Sequence, residues 1–310
     1  MTRRMVAISG FALAMVVVVG LASRRDGVSS RMRLVQEKLS GDLAGVSWTE
    51  LAIRMAPGAV HTELRRVLMP GLPHWWKKLE RPSREEKPWR MAFAFEGPTT
   101  CLAKLDCHVS VLQQGKTPHD LHQHTDEEII IPLSGTVDIL TASDTGSSEL
   151  QVETIQRGQF IYHAPRRPHT VRAAGDGEAT YLILRWEGQL ADRSPVLPSS
   201  VFSVSEIPPP DGAARGFSTE LIFESPTPHL EKLHCHQSTI APGGGYDAHA
   251  DNYDVVIVVL EGVVETLGEQ IGADSVIFYS ANRPHGMRNP GTSPARYLTF
   301  EFHSDAASDH

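Results

Sequence analysis

The sequence predicts a mainly β protein: two tandem copies of one all-β unit, preceded by an N-terminal apolar segment and a short helical region. Three observations predict it. From about Met91 the chain breaks into short apolar runs separated by Gly, Pro, Asp and Ser, the texture of a sandwich or a barrel. The stretch Phe95–Ser110 returns as Phe223–Ser238 at a constant offset of 128 residues, with Phe, Glu, Pro, Thr, Leu, Lys, Leu, Cys, His and Ser in the same order, which marks a duplicated unit. Ahead of Met91 the apolar residues instead follow a helical period.

The run from Met5 to Ala22 carries no charge and has Arg on both flanks. Residues 1–23 are therefore expected to be a signal peptide or a membrane anchor, with Gly20-Leu21-Ala22 as a small-x-small cleavage site. Export, or membrane attachment through residues 5–22, follows from that expectation. Basic residues on both sides leave the orientation open. Residues 24–90 are expected to be helical: Leu34, Leu39, Leu43, Leu51 and Val60 recur among polar residues, and Ser47-Trp-Thr-Glu50 forms a capping box. Pro70-Gly-Leu-Pro73 breaks the pattern. Trp75-Trp76 either meets a membrane interface or packs on the neighbouring unit.

Residues 91–198 are read as the first β unit, with strand-like runs at Glu128-Ile-Ile-Ile-Pro-Leu, Thr136-Val-Asp-Ile-Leu, Gln159-Phe-Ile-Tyr and Tyr181-Leu-Ile-Leu. Residues 199–310 form the second unit, entered through a connector holding Pro208-Pro-Pro210. The net charge of -8 and pI near 6.0 argue against a nucleic-acid partner, because phosphate binding needs a basic face. The expected partner is a small-molecule substrate or ligand, and no feature sets an oligomeric state. Of the 3 Cys, Cys101 and Cys107 lie on one extended stretch. Six strand residues span roughly 20 Å, too far for a disulfide. Buried free thiols are expected, with no bridge between the equivalent Cys107 and Cys235.

The chemistry concentrates in the first copy. His122 and His124 stand two apart, so an extended backbone points both to one face. Glu128 opens the next apolar run, and His169 follows Gly158 eleven residues later. Three imidazoles and one carboxylate in one interior make a site for a borderline divalent ion. In the second copy the corresponding stretch reads His249, Asp251, then Asp254-Val255, with His285 and Asn289 further on. Its weaker set is His249, Asp251 and His285, and a vestigial structural copy is the favoured reading. His108 and His236 recur at equivalent positions, where a packing role and a site explain the recurrence equally well.

These motifs resemble the cupin superfamily. Gly115, His122-x-His124, Glu128 and Gly135 follow its first motif, with Gly115 one residue further upstream than usual. Gly158 and His169 follow the second, with Ala164 in place of Pro and Arg166 in place of the turn Gly, where a positive φ is required. In the second copy Asp274, Ser280 and Asn282 replace Gly, Pro and Gly. The resemblance covers roughly Phe95 to His303 and implies a bicupin: two tandem cupin jelly-roll β-barrels, similar to oxalate decarboxylases and to ring- or flavonol-cleaving dioxygenases. It implies that His122, His124, Glu128 and His169 hold Fe, Mn or Ni, with Zn also admitted, and leave two positions open for substrate and O2 or water. A dioxygenase-type oxidoreductase acting on a small organic substrate is the first functional expectation, with Glu127 handling protons. A sugar- or small-carboxylate-binding module and a metal-dependent sugar isomerase or epimerase are the alternatives. Aromatic residues make up only 7%, which favours small polar substrates.

Overall fold

The structure, a computed structural model, describes residues 75–79, 81–82, 87–205 and 216–304. The expected segment at 1–23 and nearly all of the expected helical region lie outside them. Among the described residues there is no helix, and none is long and apolar enough to cross a membrane.

The chain begins with β1 (Trp75–Lys78). The first unit then holds β2 (Trp89–Gly97), β3 (Lys104–Leu112), β4 (Glu127–Ser134), β5 (Thr136–Thr141), β6 (Gln151–Gln156), β7 (Gln159–His163), β8 (His169–Ala173) and β9 (Ala179–Glu187). After β10 (Ser200–Ser203) the second unit holds β11 (Phe217–Ser225), β12 (Lys232–Ile240), β13 (Gly245–His249), β14 (Asp254–Glu261), β15 (Val263–Thr266), β16 (Glu269–Gly272), β17 (Ser275–Tyr279), β18 (His285–Arg288) and β19 (Ala295–His303).

Each unit is a pair of sheets. The first has a six-stranded sheet in the order β10-β7-β4-β9-β3-β2 over a three-stranded sheet β6-β5-β8. The second has β1-β17-β14-β19-β12-β11 over β13-β18-β15-β16. The edge strands cross over. β1 precedes the first unit in sequence but pairs with β17 of the second, whereas β10 lies beyond residue 198 and pairs back onto β7 of the first. Trp75–Lys78 fell within the region expected to be helical. It is a strand because an aromatic pair suits a pleated, half-buried edge, and Trp76 packs on the second unit's own core.

The two six-stranded sheets face each other. Phe95, Leu105, Cys107, Ile129 and Trp186 from the first unit share one core with Phe223, Leu233, Cys235, Phe278 and Phe302 from the second. Trp186 meets Phe302 edge-on at 5.2 Å between ring centroids. Smaller cores fill the inside of each unit, around Ile130, Ile139 and Tyr181 in the first and Ile257, Ile277 and Tyr297 in the second. A sheet covered on both faces reads as a continuous apolar run and loses its alternation. β3 accordingly buries all nine of its residues. The three cysteines are buried and free, as expected.

The turns that close the units match between copies. Gly135 and Gly262 have φ of 74° and 73°. A Cβ there would stand 2.7 Å from the Glu178 carbonyl oxygen and 2.6 Å from that of Pro294, so no side chain fits.

Candidate metal centre

In the first unit the backbone brings the two motifs together directly. His122 and His169 form an isolated antiparallel bridge, with His122 N donating to His169 O at 3.1 Å and His169 N to His122 O at 2.9 Å. His122 and His124 thus lie in an extended loop pinned by one bridge, and not in a regular strand. Arg166 takes φ 61°, the positive value expected where Gly usually stands, and its amide donates to His124 O at 2.7 Å. Asn282 repeats that conformation, at the same φ, and that bond, to Asp251 O at 2.6 Å.

Three imidazoles converge. One ring nitrogen from each of His122, His124 and His169 lies within 4.8 Å of the others. Their Nδ1 atoms sit against the backbone carbonyls of His169, Asp126 and Arg167 at 3.1, 3.0 and 2.9 Å. An Nδ1–H bonded to a carbonyl fixes the tautomer and presents Nε2 as a lone-pair donor. Glu128 reaches into the same space, its oxygens 3.2 Å from His169 Nε2 and 3.7 Å from His124 Nε2. Although buried, His124 Nε2 has no hydrogen-bond partner, an uncommon cost in a folded interior. Such a donor set, imidazole nitrogen with one carboxylate, fits a borderline divalent cation.

The electrostatics agree with that fit. Burial, reinforced by His119 and the other imidazoles, takes His122 down to about 3, so its ring is neutral and able to ligate. For Glu128, burial alone would raise the carboxyl, but the imidazoles of His124 and His169 hold it well below the usual range. His169 is lowered by burial and raised more strongly by Glu128 beside it, with a net upward shift.

Glu127, expected to handle protons here, is placed elsewhere. Adjacent strand residues point to opposite faces, so with Glu128 inside, Glu127 turns toward the second unit. There Tyr162 Oη donates to it at 3.2 Å and the His229 amide at 2.8 Å. His119 also stands at the site, its ring 3.9 Å from that of His122. One neighbour was not singled out by sequence: His163 lies opposite Glu128 in the β4–β7 register, its ring 4.1 Å from His169, with a buried Nε2 lacking a partner. Its place at the end of the Gln159-Phe-Ile-Tyr run, two strand positions beyond Ile161, was the available signal.

Further along the interior of the first unit runs a buried ion network. Lys104 bridges Asp126 and Asp106 at 2.7 and 3.1 Å, Arg185 approaches Asp106 at 3.3 Å, and His108 Nδ1 sits 3.2 Å from Asp106. Asp106 is drawn well below its usual pKa range, since Arg185 and Lys104 overcome its burial.

The second unit also gathers its expected set. Asp251 lies 3.5 Å from His249 Nε2 and 3.4 Å from His285 Nε2. His249 is half exposed, and Val255, at the position of Glu128, faces the apolar core. Asp254, one residue away, is buried and turns toward the first unit, where it accepts from the amide of Cys101 at 3.2 Å, and it also accepts from the amide of Ala281 at 2.9 Å. His249, Asp251 and His285 line a cavity of about 620 Å³ that also includes His234, His236 and Glu301.

Comparison with known proteins agrees with this architecture. Residues 236–301 match the family model for the cupin domain. The match falls on the copy in which Asp251 and Val255 stand where the first has His124 and Glu128, and no curated protein sequence matches the chain at a significant level. Three solved structures share the fold. A glyoxylate-induced protein from Pseudomonas aeruginosa is 18% identical, with a TM-score of 0.54, over 77% of this chain and 86% of its own. AerE from Microcystis aeruginosa is 10% identical, also at 0.54, over 74% and 98%. An oxalate decarboxylase from Lactobacillus farciminis, in a formate complex, is 13% identical at 0.52, over 76% and 88%.

Proposed function

We propose that the chain is a metal-dependent bicupin, a dioxygenase-type oxidoreductase that acts on a small polar organic substrate at the first unit's centre. The observation that carries the reading is the set of three imidazoles with every Nδ1 committed to a backbone carbonyl, facing the Glu128 carboxylate. His122, His124, His169 and Glu128 would hold Fe, Mn or Ni, and the ion would supply Lewis acidity. The backbone bridge between His122 and His169 fixes the ligands before substrate arrives. Arg185, one-fifth exposed on the same interior, is suited to orient an anionic substrate group by a forked hydrogen bond.

The test is elemental mass spectrometry on protein purified without chelator or His tag, followed by oxygen consumption with panels of small acids and phenols. About one Fe, Mn or Ni per chain together with substrate-dependent O2 uptake supports the reading. Turnover that proceeds equally without O2 overturns it in favour of a non-oxidative reaction, and failure to bind metal after reconstitution overturns it altogether. A ligand-binding role is favoured by one separate observation: the cavity of the second unit is roomy and lined by polar groups such as Asp251 and Thr299.

A further inference from the structure

The second unit holds a cluster that the cupin motifs do not include. His234 and His236 lie on β12 and Glu301 on β19, directly across from His234 in the strand register. Strand alternation sorts their neighbours: Leu233 and Cys235 enter the core shared by the two units, while His234 and His236 face the cavity. The three side chains offer ligand atoms all within 4.8 Å of one another. His234 Nε2 is 3.1 Å from His236 Nδ1, and the latter is 3.8 Å from Glu301 Oε1. At a metal–nitrogen distance near 2.05 Å, two imidazole nitrogens lie about 2.9 Å apart at a right angle and about 3.4 Å apart tetrahedrally. The observed separation falls between these values.

The outer atoms of the cluster are also held. Glu224 Oε2 sits 2.7 Å from His234 Nδ1, and His303 Nε2 sits 3.0 Å from the second oxygen of Glu301. A carboxylate behind one imidazole and a hydrogen bond behind the carboxylate are the supports that orient metal ligands.

Comparison of the copies sharpens the point. At the offset of 128 residues, Asp106 and His108 of the first unit become His234 and His236. The strand partner of Asp106 is Arg185, whereas that of His234 is Glu301. Position by position, an anion facing a cation has become an imidazole facing an anion. The first unit neutralises its interior carboxylate with Arg185 and Lys104. Among the described residues, none that lines the second cavity is Lys or Arg, and Lys232, the counterpart of Lys104, pairs with Glu224 at 3.4 Å instead. A cation from solution would take the place that Arg185 occupies in the first unit.

We propose that His234, His236 and Glu301 form a second divalent-cation site, a two-histidine, one-carboxylate set separate from His249, Asp251 and His285 and open to the same cavity. Ligands of this kind suit Zn2+ or Co2+, with the remaining coordination positions facing the cavity.

The test uses the full chain, stripped of metal, carrying His122→Ala and His169→Ala so that the first unit's centre is disabled. Co2+ is added, and bound ion is measured by equilibrium dialysis with elemental mass spectrometry. Adding either His236→Asn or Glu301→Gln is expected to remove about one equivalent of Co2+ per chain, while adding His249→Ala leaves that equivalent in place. Unchanged stoichiometry in both variants overturns the proposal, as does loss of all remaining Co2+ with His249→Ala. A second measurement avoids substitutions near the cavity: crystals of the wild-type chain soaked in Co2+ should show an anomalous peak among His234, His236 and Glu301. Full Co2+ occupancy elsewhere without a peak there overturns the assignment.

Discussion

The Glu127 carboxylate of the first unit accepts a hydrogen bond from the backbone amide of His229 in the second, at 2.8 Å. The relationship is reciprocal. Asp254 of the second unit accepts from the amide of Cys101 in the first, at 3.2 Å, and Cys101 and His229 occupy the same place in the two copies of the repeat. Thr99 bonds to Asp254 as well. Two buried carboxylates thus clasp the loops ahead of β3 and β12, each reaching from one unit into the other.

Removal of a clasp should cost stability and leave metal alone. Glu127→Ala strips an acceptor from the buried His229 amide and the Tyr162 hydroxyl. An orphaned buried donor costs about 1–3 kcal/mol. Urea unfolding should show a lower midpoint with an unchanged slope, at full metal content. Loss of metal with undisturbed stability would return Glu127 to the metal centre.

The same residue predicts a pH dependence. Burial pushes the Glu127 carboxyl above its ordinary value of 4.5, despite the donors around it. The folded state therefore keeps its proton to higher pH than the unfolded chain does. The associated stability is fully present below about 4.5 and is lost as pH rises through the raised value. Glu127→Gln is fixed neutral: its Oε1 can keep the His229 amide and its Nε2 can donate to the Tyr162 oxygen. Thermal midpoints of wild type and Glu127→Gln should converge or cross as pH rises above 4.5, with the wild type falling relative to the variant. Parallel curves would show that Glu127 titrates normally in the fold.

The fate of Glu127 illustrates what a sequence can carry. His122, His124, Glu128 and His169 were legible because their order and spacing are set by short loops and one backbone bridge. The doubling of the unit was legible from the recurrence of Phe95–Ser110. The direction of Glu127 was not, because Glu127-Glu128-Ile-Ile-Ile belongs to a sheet buried on both faces, where the period-2 signal that would set the phase is erased. The crossing of β1 and β10 was hidden for a different reason. Four residues can show strand character, but their partner is chosen by how two whole units pack. His236 was visible as a recurrence of His108, yet Glu301 joins it only through the β12–β19 register, and no local spacing encodes that register.

Arg166 supplies a test of the turn behind His169. It is exposed and holds φ 61°, a conformation that costs a non-glycine residue about 1 kcal/mol. Arg166→Gly should hold stability or raise it by up to about 1 kcal/mol, and Arg166→Asn, which copies Asn282, should be near neutral. Both should retain metal. Arg166→Pro fixes φ near −65° and removes the amide that donates to His124, so it should lower metal content in elemental analysis. Retention of metal by the Pro variant would show that this turn does not position His124.

The sharpest contrast lies between one candidate ligand of each copy, His169 in the first and His249 in the second. His169 is buried and stands 3.2 Å from Glu128, with its Nδ1 held by the Arg167 carbonyl. His249 is 48% exposed and faces Asp251 at 3.5 Å, without a counterpart of Glu128 beside it. An exposed ligand loses less on removal, since water replaces it and the remaining groups keep their hydration. His169→Ala also leaves the Glu128 carboxylate buried without its imidazole partner, and a buried anion stripped of its partner is strongly penalised. His169→Ala should therefore lower affinity for the first ion by more than the roughly 10–100-fold that loss of an outer hydrogen-bond partner costs, and should also lower the thermal midpoint. His249→Ala should leave the first ion in place at an unchanged midpoint. Metal titration of the two variants side by side measures the difference, and equal loss of the first ion from both would mean that the two units bind metal as one coupled system.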